Sequence, residues 1–270
     1  MTELIPRKFH FDLTKNRSLD WIPNESFLSA MFIALSMYLP IGERYIMGSL
    51  GGAMKFLPQN EQGEKLKKEI KLFIQQESFH KSLHTDLNAI FEKNTTNKIE
   101  KWVSKRIQKH ENDHIKGKVG LTMASEHTTL FLSHWVYNNP QFFTYADRDI
   151  ADLLFWHCGE EIEHRATAFK VYHALGGTAQ SRKKYLYAIT RMSIWDILRQ
   201  TMINLYYSKS LFKLKTWKDF YKYVLSKNGI LRSNYHGWKA FFRDDYNPEN
   251  YNPEASQSWL IKHKNLYDIV

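Results

Sequence analysis

Two short spellings, Glu77-x-x-His80 and Glu161-x-x-His164, constrain this chain more than any property of its composition. On a helix, residues three apart share a face, so each pair aims a carboxylate and an imidazole at one point. The second pair lies in the run Trp156-His157-Cys158-Gly159-Glu160-Glu161-Ile162-Glu163-His164. There His157, Glu161 and His164 fall within about 60° of one another on the helical wheel. In the first pair, His84 falls between Glu77 and His80 and continues an apolar line through Ile70, Phe73 and Ile74. Two further acids stand alone in apolar stretches: Glu43 among Ile41, Tyr45 and Ile46, and Glu126 as the only acid between Val119 and Asn138. A carboxylate in such company needs a strong partner, because burying an unpaired charge is costly.

In chain order these residues read single Glu, Glu-x-x-His, single Glu, Glu-x-x-His. That is the ligand formula of a four-helix bundle holding two metal ions. The candidate ligands are Glu43, Glu77, His80, Glu126, His157, Glu161 and His164, with His84 and Glu160 as an extra ligand or as supports of one. Four carboxylates balance two divalent cations, and without metal the cluster repels itself. Oxygen and imidazole donors without thiolate suit two Fe ions, with Mn or Zn as alternatives. An iron pair would activate O2, whereas a redox-inert pair would activate water. Glu160 and Glu163 project to the sides and are expected to pair with Arg165, Lys170 or a ligand histidine.

The remaining pattern is helical. A chain of 270 residues with 43% apolar content can bury a large core, and its 12 Gly and 7 Pro are too few for a many-turned β protein. Aromatic residues make up 15% of the chain, more than a plain bundle requires, and suggest a pocket lining. The single cysteine, Cys158, excludes internal disulfides and zinc-thiolate sites. Residues 1–25 read as an extended arm without an apolar leader, 26–177 as a four-helix metal-binding bundle, and 178–270 as a basic, aromatic-rich helical extension packed on it. Asn24 or Ser26 is expected to cap the first helix, and Pro40 with Gly42 to kink or restart it just before Glu43. A second helix runs from Glu61 to about Glu92, a short one lies within 94–114, and a third runs from about Val119 to Asn138. The fourth spans Asp147 to Leu175 and stops at Gly176-Gly177. His127 and His134 read as packing residues. His110-Glu111-Asn112-Asp113-His114 spells H-E-x-x-H, but its polar, lysine-rich flanks place it on the surface.

The net charge is +10, and from Arg182 to Lys218 only Asp196 opposes nine Lys or Arg, in a stretch read as a basic amphipathic helix, Ser181 to Tyr207, and its sequel. Such a face can meet an anionic membrane surface or remain solvated. Nucleic acid is not an expected partner, because no recognition module accompanies the charge. The longest greasy candidate, Leu186 to Tyr207, contains Arg191, Asp196, Arg199 and Gln200, too many polar groups for a lipid-exposed span.

The runs Leu39-Pro40-Ile41-Gly42-Glu43-Arg44-Tyr45, Phe73-Ile74-Gln75-Gln76-Glu77-Ser78-Phe79-His80 with His84, and Trp156-His157 to Glu160-Glu161-Ile162-Glu163-His164 closely resemble the bacterial family of predicted metal-dependent hydrolases. The tail Phe241-Phe242-Arg243-Asp244-Asp245-Tyr246-Asn247-Pro248 is similar to that family's closing segment, which usually has His where this chain has Asn247. A histidine four residues before the last Glu-x-x-His, as His157 is, also resembles the non-haem di-iron arylamine N-oxygenases, whose iron pair takes an additional His. That resemblance implies the seven ligands above and leaves His84 without a counterpart.

The expectation is an all-α, ferritin-like bundle with a dinuclear site and additional C-terminal helices. The expected activity is oxidation of a small apolar or aromatic substrate by O2, with electrons from an undetermined donor. A dinuclear hydrolase is the alternative, and a non-catalytic metal-binding or peripheral membrane protein the third. A cytoplasmic location, peripheral to the membrane if the basic face binds it, and a homodimer are compatible with this reading.

Overall fold

The computed structural model describes residues 4–270, so the first three residues of the expected arm lie outside it. The arm carries strand β1 (Arg7–Phe9) and leads into helix α1 (Ser26–Ala53). Then come α2 (Glu61–Phe91), α3 (Ile99–Lys109), α4 (Ile115–Asn138), α5 (Arg148–His164) and α6 (Thr167–Ala174). The C-terminal part adds α7 (Ala179–Tyr207), α8 (Leu214–Phe220), a π-helical turn at Tyr221–Leu225, α9 (Ile230–Ala240), α10 (Glu254–Lys262) and strand β2 (Tyr267–Ile269). The architecture is all-α apart from one antiparallel ribbon, in which Arg7 pairs with Ile269 and Phe9 with Tyr267. Helices α1, α2, α4 and α5 surround a common interior. Helix α7 lies against α1 and α4, α9 against α4, and α10 against α5.

Three local expectations change. First, Pro40 does not interrupt α1, which runs through it. A proline inside a helix removes the N–H that would bond the carbonyl four residues earlier, here that of Ser36. The Asn88 side-chain amide on α2 takes over, donating to Ser36 O at 2.8 Å. Second, neither Asn24 nor Ser26 caps α1; Glu25 holds the cap position without a side-chain bond, and Asn24 adopts a positive φ of 62° in the turn before it. Third, the fourth helix breaks at Arg165-Ala166, where the Arg165 guanidinium donates to Ile162 O at 2.7 Å.

Helix α7 also departs from a basic amphipathic helix, because its inner face is polar. Buried Asp196 receives Arg106 at 2.7 Å. Gln200 Oε1 accepts from the backbone N–H groups of Lys98 and Ile99, and Asn204 donates to Ala30 O. With that face occupied, Tyr187, Ile194, Trp195, Met202 and Tyr206 are left exposed. The segment Ser26–Phe56 is long and apolar enough to cross a membrane by composition, a property the sequence reading sought in Leu186–Tyr207. Two thirds (67%) of its 18-residue apolar window is buried in the bundle, and the helix delivers Glu43 to the interior.

The arm is fastened to the start of α5 by Arg17, whose guanidinium donates to Asp147 at 2.8 Å and to Asp149 at 2.7 Å. Hydrogen bonds from Lys15 and Arg17 hold the Asp149 carboxyl below its usual range. A depressed folded-state pKa stabilises the protein above the unfolded value, roughly 3.9, and that stabilisation is lost as pH falls through the folded value. Arg17→Ala should therefore cost about 1–2 kcal/mol at pH 7, allowing for water around the two carboxylates. In thermal melts the gap between variant and wild type should narrow as pH falls toward 3.

Candidate metal centre

The seven residues of the centre arrive on four helices, each positioned for a local reason. Glu43 follows Pro40 on the buried face of α1, Glu77 and His80 occupy successive turns of α2, and Glu126 sits in the apolar middle of α4. Helix α5 begins at Asp147, whose side chain accepts from the N–H groups of Asp149 and Ile150, and this start sets the rotation that turns His157, Glu161 and His164 inward.

The structure gathers all seven predicted residues into two adjoining groups. Potential ligand atoms of Glu43, His80 and His157 lie within 4.8 Å of one another, as do those of Glu77, Glu126, Glu161 and His164. All are buried. Both carboxylate oxygens of Glu43, Glu77 and Glu126, with Nδ1 of His80 and of His164, are buried without a hydrogen-bond partner among the described residues. Orphaned buried polar atoms are rare in folded proteins, and here they converge on one interior space. His164 Nδ1 and Glu77 Oε1 are 2.9 Å apart, yet neither is hydrogen-bonded. Groups that approach so closely without bonding are oriented toward a shared third body. The donor set therefore fits a pair of hard or borderline cations.

The electrostatics agree. Burial, then the charge of Glu77, pushes the Glu43 carboxyl well above its usual range. Burial, then Glu161 and Glu77, does the same to Glu126. Burial acts the same way on Glu161, but the close approach of His157 (3.2 Å) and His80 (3.6 Å) outweighs it and holds that carboxyl low. Buried carboxylates forced to share protons in this way exchange them for metal, so affinity should fall as pH falls.

Around the ligands lies a second layer that fixes which nitrogen of each imidazole is free. His80 bonds Glu160 through Nε2 at 2.8 Å, leaving Nδ1 toward the centre. His164 bonds Gln76 Oε1 through Nε2 at 3.2 Å, again leaving Nδ1. His157 is set by a longer chain that begins at Pro40. Because the Asn88 nitrogen donates to the freed Ser36 carbonyl, Asn88 Oδ1 is left to accept from the Ser36 hydroxyl at 2.7 Å. Ser36 Oγ can then only accept from His84 Nδ1, at 2.8 Å. His84 Nε2 in turn accepts from His157 Nδ1 at 3.0 Å, so the remaining lone pair, on His157 Nε2, faces Glu161 and the centre. His84 is thus a support of His157, with no nitrogen left over for a metal.

Glu160 likewise supports rather than joins the centre. Its expected partners Arg165 and Lys170 are replaced by Arg7 from the arm. Arg7 reaches Glu160 at 3.0 Å and Glu163 at 2.9 Å, and is itself buried. Arg165 caps α5, and Lys170 pairs with Glu69 and Glu249 instead. Sequence reasoning missed Arg7, Gln76, Ser36 and Asn88. Nothing local marks Arg7, which lies 153 residues from Glu160, and nothing in the sequence shows that Ser36 and Asn88, 52 residues apart, meet. His127 packs among Phe131, Phe241 and Tyr246 and bonds the Tyr246 hydroxyl at 2.7 Å, and His134 packs on Tyr251. The H-E-x-x-H run lies in an exposed turn, where His110 bonds Asp113 and His114 caps α4.

Beside the centre is a cavity of about 140 Å³ whose walls include Glu43, Glu77, His157 and Glu161. One water needs roughly 10–15 Å³, so part of a ligand fits. Its remaining walls are apolar side chains and hydroxyls, and no lysine or arginine lines it. Cys158 is on the wall, its thiol pushed up to about 12 by burial and so unreactive.

Ser36→Ala removes the acceptor of His84 and frees the imidazole of His157 to turn. Metal titration against a competing chelator should show one of two sites weakened by roughly ten-fold or more. Equal affinity in variant and wild type would show that the chain of bonds from Pro40 does not act on the centre.

No curated protein and no solved structure matches the chain. A family model described as predicted metal-dependent hydrolase matches residues 5–252, a span that contains Arg7, both Glu-x-x-His pairs and Tyr246. The chain therefore belongs to the predicted metal-dependent hydrolase family.

Proposed function

We propose that the protein is a dinuclear non-haem iron oxidoreductase that uses O2 to oxidise an apolar substrate held beside Glu43 and His157. Seven ligands are assigned: Glu43, Glu77, His80, Glu126, His157, Glu161 and His164, with His84 and Glu160 behind them. Two irons held by carboxylates and imidazoles would supply the electrons that reduce O2. The observation that carries the reading is the cavity beside these residues, which has apolar and hydroxyl walls and no cationic side chain. A C–H bond or an apolar ring is matched by these walls, whereas a charged substrate would have only the metals themselves to offset its desolvation.

The chain's own groups have three tasks in this proposal. The bonds from Glu160, Gln76 and His84 hold each imidazole in one orientation, with its other nitrogen toward the centre. The apolar walls formed by residues such as Phe32, Leu87, Phe91 and Leu153 exclude bulk water from the reacting centre. Arg7 neutralises part of the Glu160 and Glu163 charge, so the four carboxylates of the centre are not further burdened.

The family description favours a second reading, in which the same cage holds redox-inert ions that activate water for hydrolysis. Anaerobic loading with Fe(II) followed by O2 separates the two. The oxidoreductase reading expects oxygen consumption in proportion to bound iron and a new near-ultraviolet absorption. Absence of both, together with ester cleavage by the Zn- or Mn-loaded protein, would establish the hydrolase instead.

A further inference from the structure

A second and larger cavity, about 390 Å³, lies between α1, α4, α7 and α9 and is lined by residues such as Phe27, Met31, Phe131, Ile194, Leu231 and Trp238. It is not part of the metal centre, but it adjoins the cavity that is. Leu35, Thr128, Leu132, Ser193 and Ile197 line both. Residues of α1 line the pair along its length, from Phe27 through Met31 and Leu35 to Gly42 and Glu43. At 1.5 Å per residue, Phe27 to Glu43 spans about 24 Å. A single aromatic ring would fill only a small part of that distance. A long unbranched alkyl chain would fill it.

The outer end of this path is unlike the inner end. Its rim exposes Ile194 (40%), Leu225 (43%), Leu231 (47%) and Tyr235 (51%), an apolar opening rather than a polar one. Arg191, Lys227 and Arg232 flank those residues in sequence and are exposed. The two acids of the stretch 182–239, Asp196 and Asp219, are buried against Arg106 and Lys215, so they do not offset the charge at the rim. The polar inner face of α7 also explains why apolar side chains point outward at this opening: the helix is held by Asp196, Gln200 and Asn204, which leaves its apolar residues free to form the mouth.

We propose that the two cavities form one binding site for an anionic single-chain amphiphile. The alkyl tail would pass Ser193 toward Glu43 and the anionic head would stay among Arg191, Lys227 and Arg232. This rests on the oxidoreductase reading only for what happens to the tail; binding itself does not require it. It replaces the small or aromatic substrate expected from the sequence with a long aliphatic one, and it gives the basic face a ligand.

The test uses the full chain loaded with zinc, so that binding is read without turnover, and cis-parinaric acid as a fluorescent alkyl carboxylate. The wild type should bind one equivalent saturably. Ser193→Phe, which blocks the passage shared by the two cavities, should weaken binding by at least ten-fold while leaving the melting temperature and metal content near wild type. Ile194→Asp, at the exposed rim where folding is not at stake, should weaken it similarly by repelling the head. No saturable binding, or equal affinity in wild type and both variants, overturns the proposal whatever the oxygen-consumption result. Flotation with phosphatidylcholine vesicles, with and without phosphatidylglycerol, identifies the source of the chain. Flotation only with the anionic vesicles means that it is drawn from a bilayer, and none means that it is taken from solution; in either case Ser193→Phe must lose the probe.

Discussion

Four carboxylates, those of Glu43, Glu77, Glu126 and Glu161, share one enclosed space and repel one another, and the rest of the structure depends on how that repulsion is met. Glu161 has the imidazoles of His157 and His80 close beside it, while the oxygens of Glu43, Glu77 and Glu126 have no hydrogen-bond partner among the described residues. Burial and mutual charge then force protons onto Glu43 and Glu126 unless cations take their place. A bundle optimised only for stability would replace these groups with apolar ones of similar volume, since buried charge clusters rarely raise stability. Their presence in the buried interior of the bundle is therefore a statement about ligand binding.

The surrounding layer turns this repulsion into a defined geometry. It reaches the centre from outside the ligand helices through Arg7, on a strand closed by the last residues of the chain, and from other turns of α1 and α2 through Ser36 and Asn88, at the site of a helix-interior proline. Pro40 illustrates the economy of the arrangement. A missing backbone N–H would normally weaken a helix, but the freed carbonyl becomes the fixed point from which the hydrogen-bond directions of Asn88, Ser36, His84 and His157 follow in turn. Charge and tautomer are thus both set before any metal enters, which reduces the reorganisation that binding requires.

What was legible in the sequence, and what was not, follows the range of the interactions. The bundle helices and all the residues of the two groups could be found from spacing, because helical periodicity is local and an acid in an apolar helix is conspicuous. The effect of Pro40 was misjudged because its compensation comes from Asn88, on another helix, 52 positions away from Ser36. Arg7 is invisible for the same reason at greater separation: of the partners the sequence offers Glu160 and Glu163, which are Arg165, Lys170 or a ligand histidine, only the histidine holds, as His80 on Glu160. The inner face of α7 was misread because Asp196, Gln200 and Asn204 look like surface residues until the loop before α3 and the carbonyl of Ala30 are brought against them. The substrate path was legible only in part: the excess of aromatic residues hinted at a pocket, but its length and its basic rim are products of tertiary packing.

The central claim is that this bundle is built around two metal ions. The direct measurement is metal content per chain, by elemental analysis, on protein purified without chelators and reconstituted with Fe(II), for the wild type and for Glu126→Ala. The account predicts close to two ions per wild-type chain and fewer in the variant. Fewer than one ion per wild-type chain, or a stoichiometry unchanged by Glu126→Ala, would contradict it.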